Sequence, residues 1–146
     1  MTLRSKRVCV LLLAVLATVV GTWAAAFPAS FYRDFPSPGW GWVSALGPYN
    51  EHLVRDVGGL YLALAVLSVW TWRRPAFPLL RVAGGAWLIF NAEHFLWHAL
   101  HLSAFSTWHA IGNLVGLGVP LLLSLLLLAP DRAAAPSAAG SPSTAA

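Results

Sequence analysis

Four stretches of this chain run for about 20 residues with almost no charge, and that pattern leaves few architectures open. They extend from about Val8 to Phe27, Leu53 to Trp72, Val82 to Leu102 and Trp108 to Ala129, each close to the ~20 residues that a ~30 Å hydrocarbon core requires. Backbone polar groups in lipid must be satisfied within their own segment, so helices are expected rather than open strands. The expected fold is all-α: a four-transmembrane-helix bundle over residues 8–129, preceded by a short cytoplasmic N-terminus at 1–7. The chain is 58% hydrophobic and only 10% charged, where a soluble domain carries roughly 25% charged residues. An integral membrane protein in contact with the lipid bilayer is therefore expected. Beyond Pro130 the Ala/Ser/Pro-rich tail at 130–146 has little to bury and is expected to be disordered and cytoplasmic.

The basic residues set the orientation. Arg4, Lys6 and Arg7 precede the first segment, Arg73, Arg74 and Arg81 separate the second from the third, and Arg132 follows the fourth. Seven of nine basic residues thus fall on one side, against Arg33 and Arg55 on the other. The positive-inside rule puts both termini in the cytoplasm. The same residues carry the net charge of +4, yet they flank apolar segments instead of forming a patch, so no nucleic-acid partner is expected. Ala24-Ala25-Ala26 after a basic start also resembles a signal-peptide cleavage site. The apolar run exceeds the usual ~7–15 residues of a signal core, which favours retention as a fourth helix.

On that topology all five histidines, His52, His94, His98, His101 and His109, lie toward the outer side. Asn91, His94, His98 and His101 fall within an arc of about 80° on one helix face, rising through the outer leaflet, while Glu93 points about 100° away from His94. His109 and Asn113 share a face at the start of the fourth helix, where Ser106 or Thr107 offers an N-cap hydroxyl. The short connection between the third and fourth segments makes them antiparallel neighbours, so His109 can approach His98 or His101. At the start of the second helix Asn50 is a plausible N-cap, and Glu51 with Arg55, and His52 with Asp56, form four-apart pairs. Gly58-Gly59, Gly84-Gly85, Gly112, Gly116 and Gly118 mark close helix approaches, with a kink at Pro120.

The extracytoplasmic loop 28–52 is aromatic-rich, with Phe31, Tyr32, Trp40 and Trp42 of the kind that settle at the headgroup level. Pro28 suits a first helical position, so a short interfacial helix is expected over Ala29 to Phe35. Such a loop is either an interfacial anchor or a lid over the end of the bundle.

Ionisable groups at membrane depth need an explanation, and three remain open. Neutral imidazoles together with Arg55, Asp56, Asn91, Glu93 and Asn113 can form a structural hydrogen-bonded network. His94, His98, His101 and His109, with His52 as a further candidate, can hold a transition metal or haem. Imidazoles can also relay protons or respond to external pH as part of a transport component. The single cysteine, Cys9, excludes an intramolecular disulfide and a Cys-rich metal site. The run from His94 to His101 is superficially like a histidine box of membrane desaturases, but five outward histidines are too few for di-iron chemistry. There is no Gly-x-Ser-x-Gly elbow, phosphate loop or His-Glu-x-x-His motif, so no catalytic residue is assigned.

The run Glu51-His-Leu-Val-Arg-Asp-Val-Gly-Gly-Leu-Tyr-Leu-Ala-Leu64, with Asn91-Ala-Glu-His-Phe-Leu-Trp-His-Ala-Leu-His101 and Gly112-Asn113, resembles small bacterial four-helix membrane proteins of the DoxX-like group. The resemblance covers most of residues 28–129. It implies a four-helix bundle in the bacterial inner membrane and favours an accessory-subunit or redox role, some relatives acting in thiol or quinone systems. It transfers no catalytic residue, and Cys9 lies on the wrong side for thiol chemistry at the outer cluster. The expected function is a structural or accessory membrane protein with an outward histidine-lined pocket, acting as a homo-oligomer or with a partner membrane protein; a metal- or haem-dependent redox protein is the alternative.

Overall fold

The computed structural model describes residues 1–131. The tail beyond Asp131, expected to be disordered, and Arg132 lie outside the described residues. Among the described residues there are five α-helices, α1 Leu3–Ala26, α2 Pro28–Asp34, α3 Glu51–Arg73, α4 Phe77–Leu100 and α5 Thr107–Leu128, with single 3-10 turns at Ser44–Leu46 and Leu102–Ala104.

Each helix begins where local chemistry satisfies its first amides, not where the apolar run begins. The Thr2 hydroxyl accepts from Ser5 N at 3.1 Å, so α1 starts five residues before the expected Val8 and carries its basic turn as helix. Pro28 opens α2, whose bounds fall one residue from those expected. Asn50 Oδ1 accepts from Leu53 N at 3.2 Å and starts α3. α4 begins at Phe77 rather than Val82, with proline in its first turn, and ends at Leu100. Ser106 occupies the N-cap position of α5, but its side chain makes no capping bond, contrary to expectation.

Three of these helices, α1, α3 and α5, are long and apolar enough to cross a membrane. The expectation of four spans is corrected here to three helices that meet that measure of length and apolarity. α4 has 24 residues, but Asn91, Glu93, His94 and His98 crowd its second half and lower its apolarity.

The helices associate as two pairs. α1 lies along α3, and α4 runs antiparallel to α5. The first contact depends on Gly58, where an added Cβ would stand 2.5 Å from the backbone nitrogen of Ala25. The second depends on Gly84, where a Cβ would stand 2.7 Å from Leu127 Cβ. Gly59 and Gly85 face open space, so only one member of each Gly-Gly pair makes the expected close approach. Val10, Leu13, Ala17, Leu80, Ala83, Trp87 and Leu127 close the core between the pairs, with Cys9 packed at its edge. Val66, Ile89, Leu100 and Trp108 project outward as an apolar coat suited to lipid.

Polar side chains tie the two pairs together at two levels and brace α4 against α5. Near the termini the fully buried Lys6 donates to Ala129 O and to Asp131, both at 2.6 Å, and Arg81 also bonds Asp131. Midway, Trp87 Nε1 donates to Ser68 Oγ at 2.8 Å. In the same region the Asn91 amide donates to Ser124 Oγ at 2.8 Å, and that hydroxyl donates to Pro120 O at 2.7 Å.

Candidate functional site

At the end of the bundle opposite Lys6 and Asp131 lies a partly open cavity of about 650 Å³. Its walls come from α1, α3, α4 and α5, Tyr61 contributes from α3, and α2 with the segment 36–48 forms its roof. The roof is anchored by its own packing. Phe31 and Phe35 lie 4.7 Å apart with tilted rings, and Trp23 meets Phe31 edge-on at 5.8 Å. Trp23 Nε1 donates to Ser30 Oγ at 3.2 Å, and Ser30 donates to Asp34 at 3.2 Å. The hydrogen bond from Arg33 holds the Asp34 carboxyl below its ordinary pKa. Tyr32 Oη donates to Gly47 O at 2.7 Å and fastens the far edge of the roof.

Trp42, which the sequence leaves as either a headgroup anchor or part of a lid, is only 7% exposed and inserts beneath the roof against α5. Gly112 makes room for it: a Cβ there would lie 3.1 Å from the indole Cζ2. The signal was the pair Gly112 and Gly116, one turn apart, which accommodates a side chain rather than another helix backbone. Gly41, with φ of 59°, turns the chain inward just before the indole.

The histidines are distributed rather than gathered. His94 stacks on Phe90 at 5.3 Å and meets His98 edge-on at 4.7 Å; both line the cavity. His101 does not continue their stripe. It is the C-cap of α4, with φ −120° and ψ 28°, so helical spacing no longer governs it. Its ring stacks on Trp97 at 4.1 Å, and Nδ1 lies 2.7 Å from Trp97 O. His109 lies against Trp40 at 5.1 Å with the rings almost parallel. His52 is 83% exposed and pairs with Asp56 at 3.3 Å.

A tetrahedral zinc-type site needs three or four donors about 2 Å from one ion. Among the described residues no three His, Cys, Asp or Glu side chains are grouped to hold one. The quartet His94, His98, His101 and His109 contributes two adjacent rings, while Trp97 and Trp40 engage the other two.

The supporting polar residues divide likewise. Arg55 bonds Glu51 at 2.8 Å and also the carbonyl of Ala25, forming with His52 and Asp56 an exposed group at the start of α3. Glu93 is exposed and does not line the cavity. Asn91 belongs to the Ser124 bridge. Asn113 is different: it is 2% exposed, lines the cavity and leaves Oδ1 without a partner.

Among the described residues three buried side-chain polar atoms are unpaired: Trp42 Nε1, His98 Nδ1 and Asn113 Oδ1. All three residues border the one cavity. Buried polar groups are nearly always hydrogen-bonded, and each orphan costs about 1–3 kcal/mol. Three such residues around a single space make that space the candidate site. Comparison with protein-family models, curated proteins and solved structures gave no match to this chain, so the DoxX-like resemblance stands on the quoted residues alone.

Proposed function

We propose that this chain is a non-enzymatic membrane-embedded binding protein, an accessory component of the bacterial inner membrane, whose cavity at the outer end of the bundle receives a small molecule. In this reading α4 is the fourth span. It has 24 residues, about 36 Å of helix, and lies along α5. Its polar residues are accommodated internally, Asn91 by Ser124 and His94 with His98 by the cavity, while Ile89 and Leu96 face outward. The basic residues flanking the helices put both termini in the cytoplasm, so the aromatic roof and the cavity face the periplasm. The DoxX-like resemblance is consistent with such an accessory role.

The observation that carries the proposal is that Trp42, His98 and Asn113, each with one buried and unpaired polar atom, all line one aromatic-walled cavity. Apolar pockets with a few convergent polar groups are the usual form of small-molecule sites. Native mass spectrometry of the protein extracted in mild detergent tests the reading. Wild type is expected to carry a discrete non-covalent adduct that a folded His98→Leu/Asn113→Leu variant lacks. Identical spectra for the two proteins would overturn it.

A further inference from the structure

We infer that the end of the bundle carrying Lys6 and Asp131, opposite the cavity, binds an anionic phospholipid whose phosphodiester is held by Arg7 of α1 together with Arg73 and Arg74 at the end of α3. Charge at this end is unbalanced. Of the five acidic residues in the chain, Asp34, Glu51, Asp56 and Glu93 lie toward the opposite end, and the tail 132–146 contains neither Asp nor Glu. That leaves Asp131, which Lys6 and Arg81 already bond. Arg4, Arg7, Arg73 and Arg74 are exposed, and none of them makes an ion pair among the described residues.

Three of these arginines meet in one place. Arg7 Nε donates to Trp72 O at 3.1 Å across the α1–α3 contact, satisfying one of the last-turn carbonyls that a helix leaves unpaired. Arg73 and Arg74 directly follow that carbonyl in the chain, so the Arg7 guanidinium stands within about one helix diameter, ~10–12 Å, of where both side chains begin. The Arg7 guanidinium lies 5.3 Å from the Trp72 ring centroid and that of Arg74 lies 5.1 Å from the Trp70 centroid, both close enough for cation–π attraction. The α3 dipole does not dispose of the charge, because a helix C-terminus carries about half a negative charge against three positive ones.

The same arginines end the lipid-facing stripes of their helices. At 3.6 residues per turn, Arg4, Val8, Leu12, Val15 and Val19 fall within an arc of about 80° on α1, and the four apolar residues are each at least half exposed. Val66, Trp70, Arg73 and Arg74 share an arc of about 100° on α3, with Val66 73% and Trp70 55% exposed. Hydrocarbon chains covering these stripes bring their headgroups to the level of the arginines, where Trp70 and Trp72 suit the interfacial belt. Guanidinium groups take phosphate oxygens through paired N–H donors. A free phosphate ion meets the arginines alone, whereas a phospholipid also covers the apolar stripes that lead to them. In the orientation proposed above this end faces the cytoplasmic leaflet, whose surface is negative.

The test is native mass spectrometry of the full chain in mild detergent, titrated with dioleoyl phosphatidylglycerol or dioleoyl phosphatidylcholine, which share chains and phosphodiester and differ in net charge. The first phosphatidylglycerol is expected to bind at least ~10-fold more tightly than the first phosphatidylcholine. Arg7→Gln and Arg74→Gln, each checked for helicity and monodispersity, are each expected to weaken phosphatidylglycerol about 5-fold, the equivalent of ~1 kcal/mol for one basic residue, and to narrow the preference. Arg74 bonds no other helix through its side chain, so its variant tests the site even where loss of the Arg7–Trp72 bond disturbs packing. Arg81→Gln removes the same charge from the same end, but from a group already bonded to Asp131, and is expected to keep phosphatidylglycerol affinity within about 2-fold of wild type. Equal weakening by Arg81→Gln and Arg74→Gln would overturn the site in favour of diffuse attraction. Equal affinity for the two lipids would overturn the charge argument, and displacement of phosphatidylglycerol by excess inorganic phosphate would overturn the assignment to a lipid. None of these outcomes depends on the outer cavity.

Discussion

The imidazole of His109 lies almost parallel to the indole of Trp40, 5.1 Å between centroids and 8° between planes. This contact joins the first turn of α5 to a roof segment about 70 residues earlier in the chain, beside a further edge contact of His109 with Trp42 at 6.5 Å. Aromatic pairs of this kind contribute about 0.5–1.5 kcal/mol beyond their area. His109→Ala should therefore loosen the roof without unfolding the bundle. The check is iodide quenching of tryptophan fluorescence, which should rise in the variant while helicity is unchanged; unchanged quenching would mean the stack does not hold the roof.

Gly58 and Gly59 are adjacent in sequence and opposite in consequence. A Cβ at Gly58 meets the backbone of Ala25 at 2.5 and 2.9 Å, which no rotamer change relieves, whereas a Cβ at Gly59 meets nothing within 4 Å. Gly58→Ala should push α1 from α3 and cost about 1–3 kcal/mol. Gly59→Ala should be neutral or slightly stabilising, by up to about 1 kcal/mol. Reversible unfolding by steric trapping in bicelles compares them, and equal effects would contradict the packing described.

Ser124 accepts from Asn91 and donates to Pro120 O at the α4–α5 contact. Ser124→Ala leaves the buried Asn91 amide without its acceptor. A loss of about 0.6–1.7 kcal/mol is expected, the range measured for interhelical hydrogen bonds in membranes. The double variant Asn91→Leu/Ser124→Ala should recover part of that loss, because no orphaned amide remains.

Near the chain termini, the hydrogen bond from Lys6, assisted by Arg81, holds the Asp131 carboxyl below its ordinary pKa, against a smaller upward effect of desolvation. A carboxyl depressed in the folded state contributes stability above its unfolded pKa and loses it as pH falls through the folded value. The thermal midpoint of wild type should thus exceed that of Asp131→Asn at neutral and mildly acidic pH. The gap should close only as pH drops below the ordinary carboxylate range. A gap that is independent of pH down to strong acid would show that the carboxylate charge is not what ties α1 to the end of α5.

The apolar runs in the sequence located every long helix, because lipid-compatible segments of that length have no other regular structure available. Helix ends were less legible. The turns Leu3–Arg7 and Phe77–Arg81 are polar or proline-containing, and they are helical because helices continue past the hydrocarbon boundary once their first amides are capped or free. Angular spacing correctly put His94 and His98 on one surface, and it failed for His101 because that residue lies at the C-cap, beyond the regular helix. The partners of His109 and Trp42 were not legible, for a shared reason. Their partners, Trp40 and Gly112, are distant in sequence, and no local periodicity encodes a loop folding back onto the start of α5. Asn113 was legible as a polar residue on an apolar helix, but its lack of a partner is a property of the assembled cavity alone.

The central claim is that Trp42, His98 and Asn113 hold a ligand in one cavity, and the indole N–H of Trp42 reports on it directly. Of the eight tryptophans in the chain, Trp42 can be assigned by the cross-peak missing from Trp42→Phe in spectra of the ¹⁵N-labelled protein. Exhaustive delipidation should move that cross-peak upfield as its hydrogen bond is lost, and returning the extracted small-molecule fraction should restore it in wild type but not in Asn113→Leu. A Trp42 resonance indifferent to both steps would contradict the account.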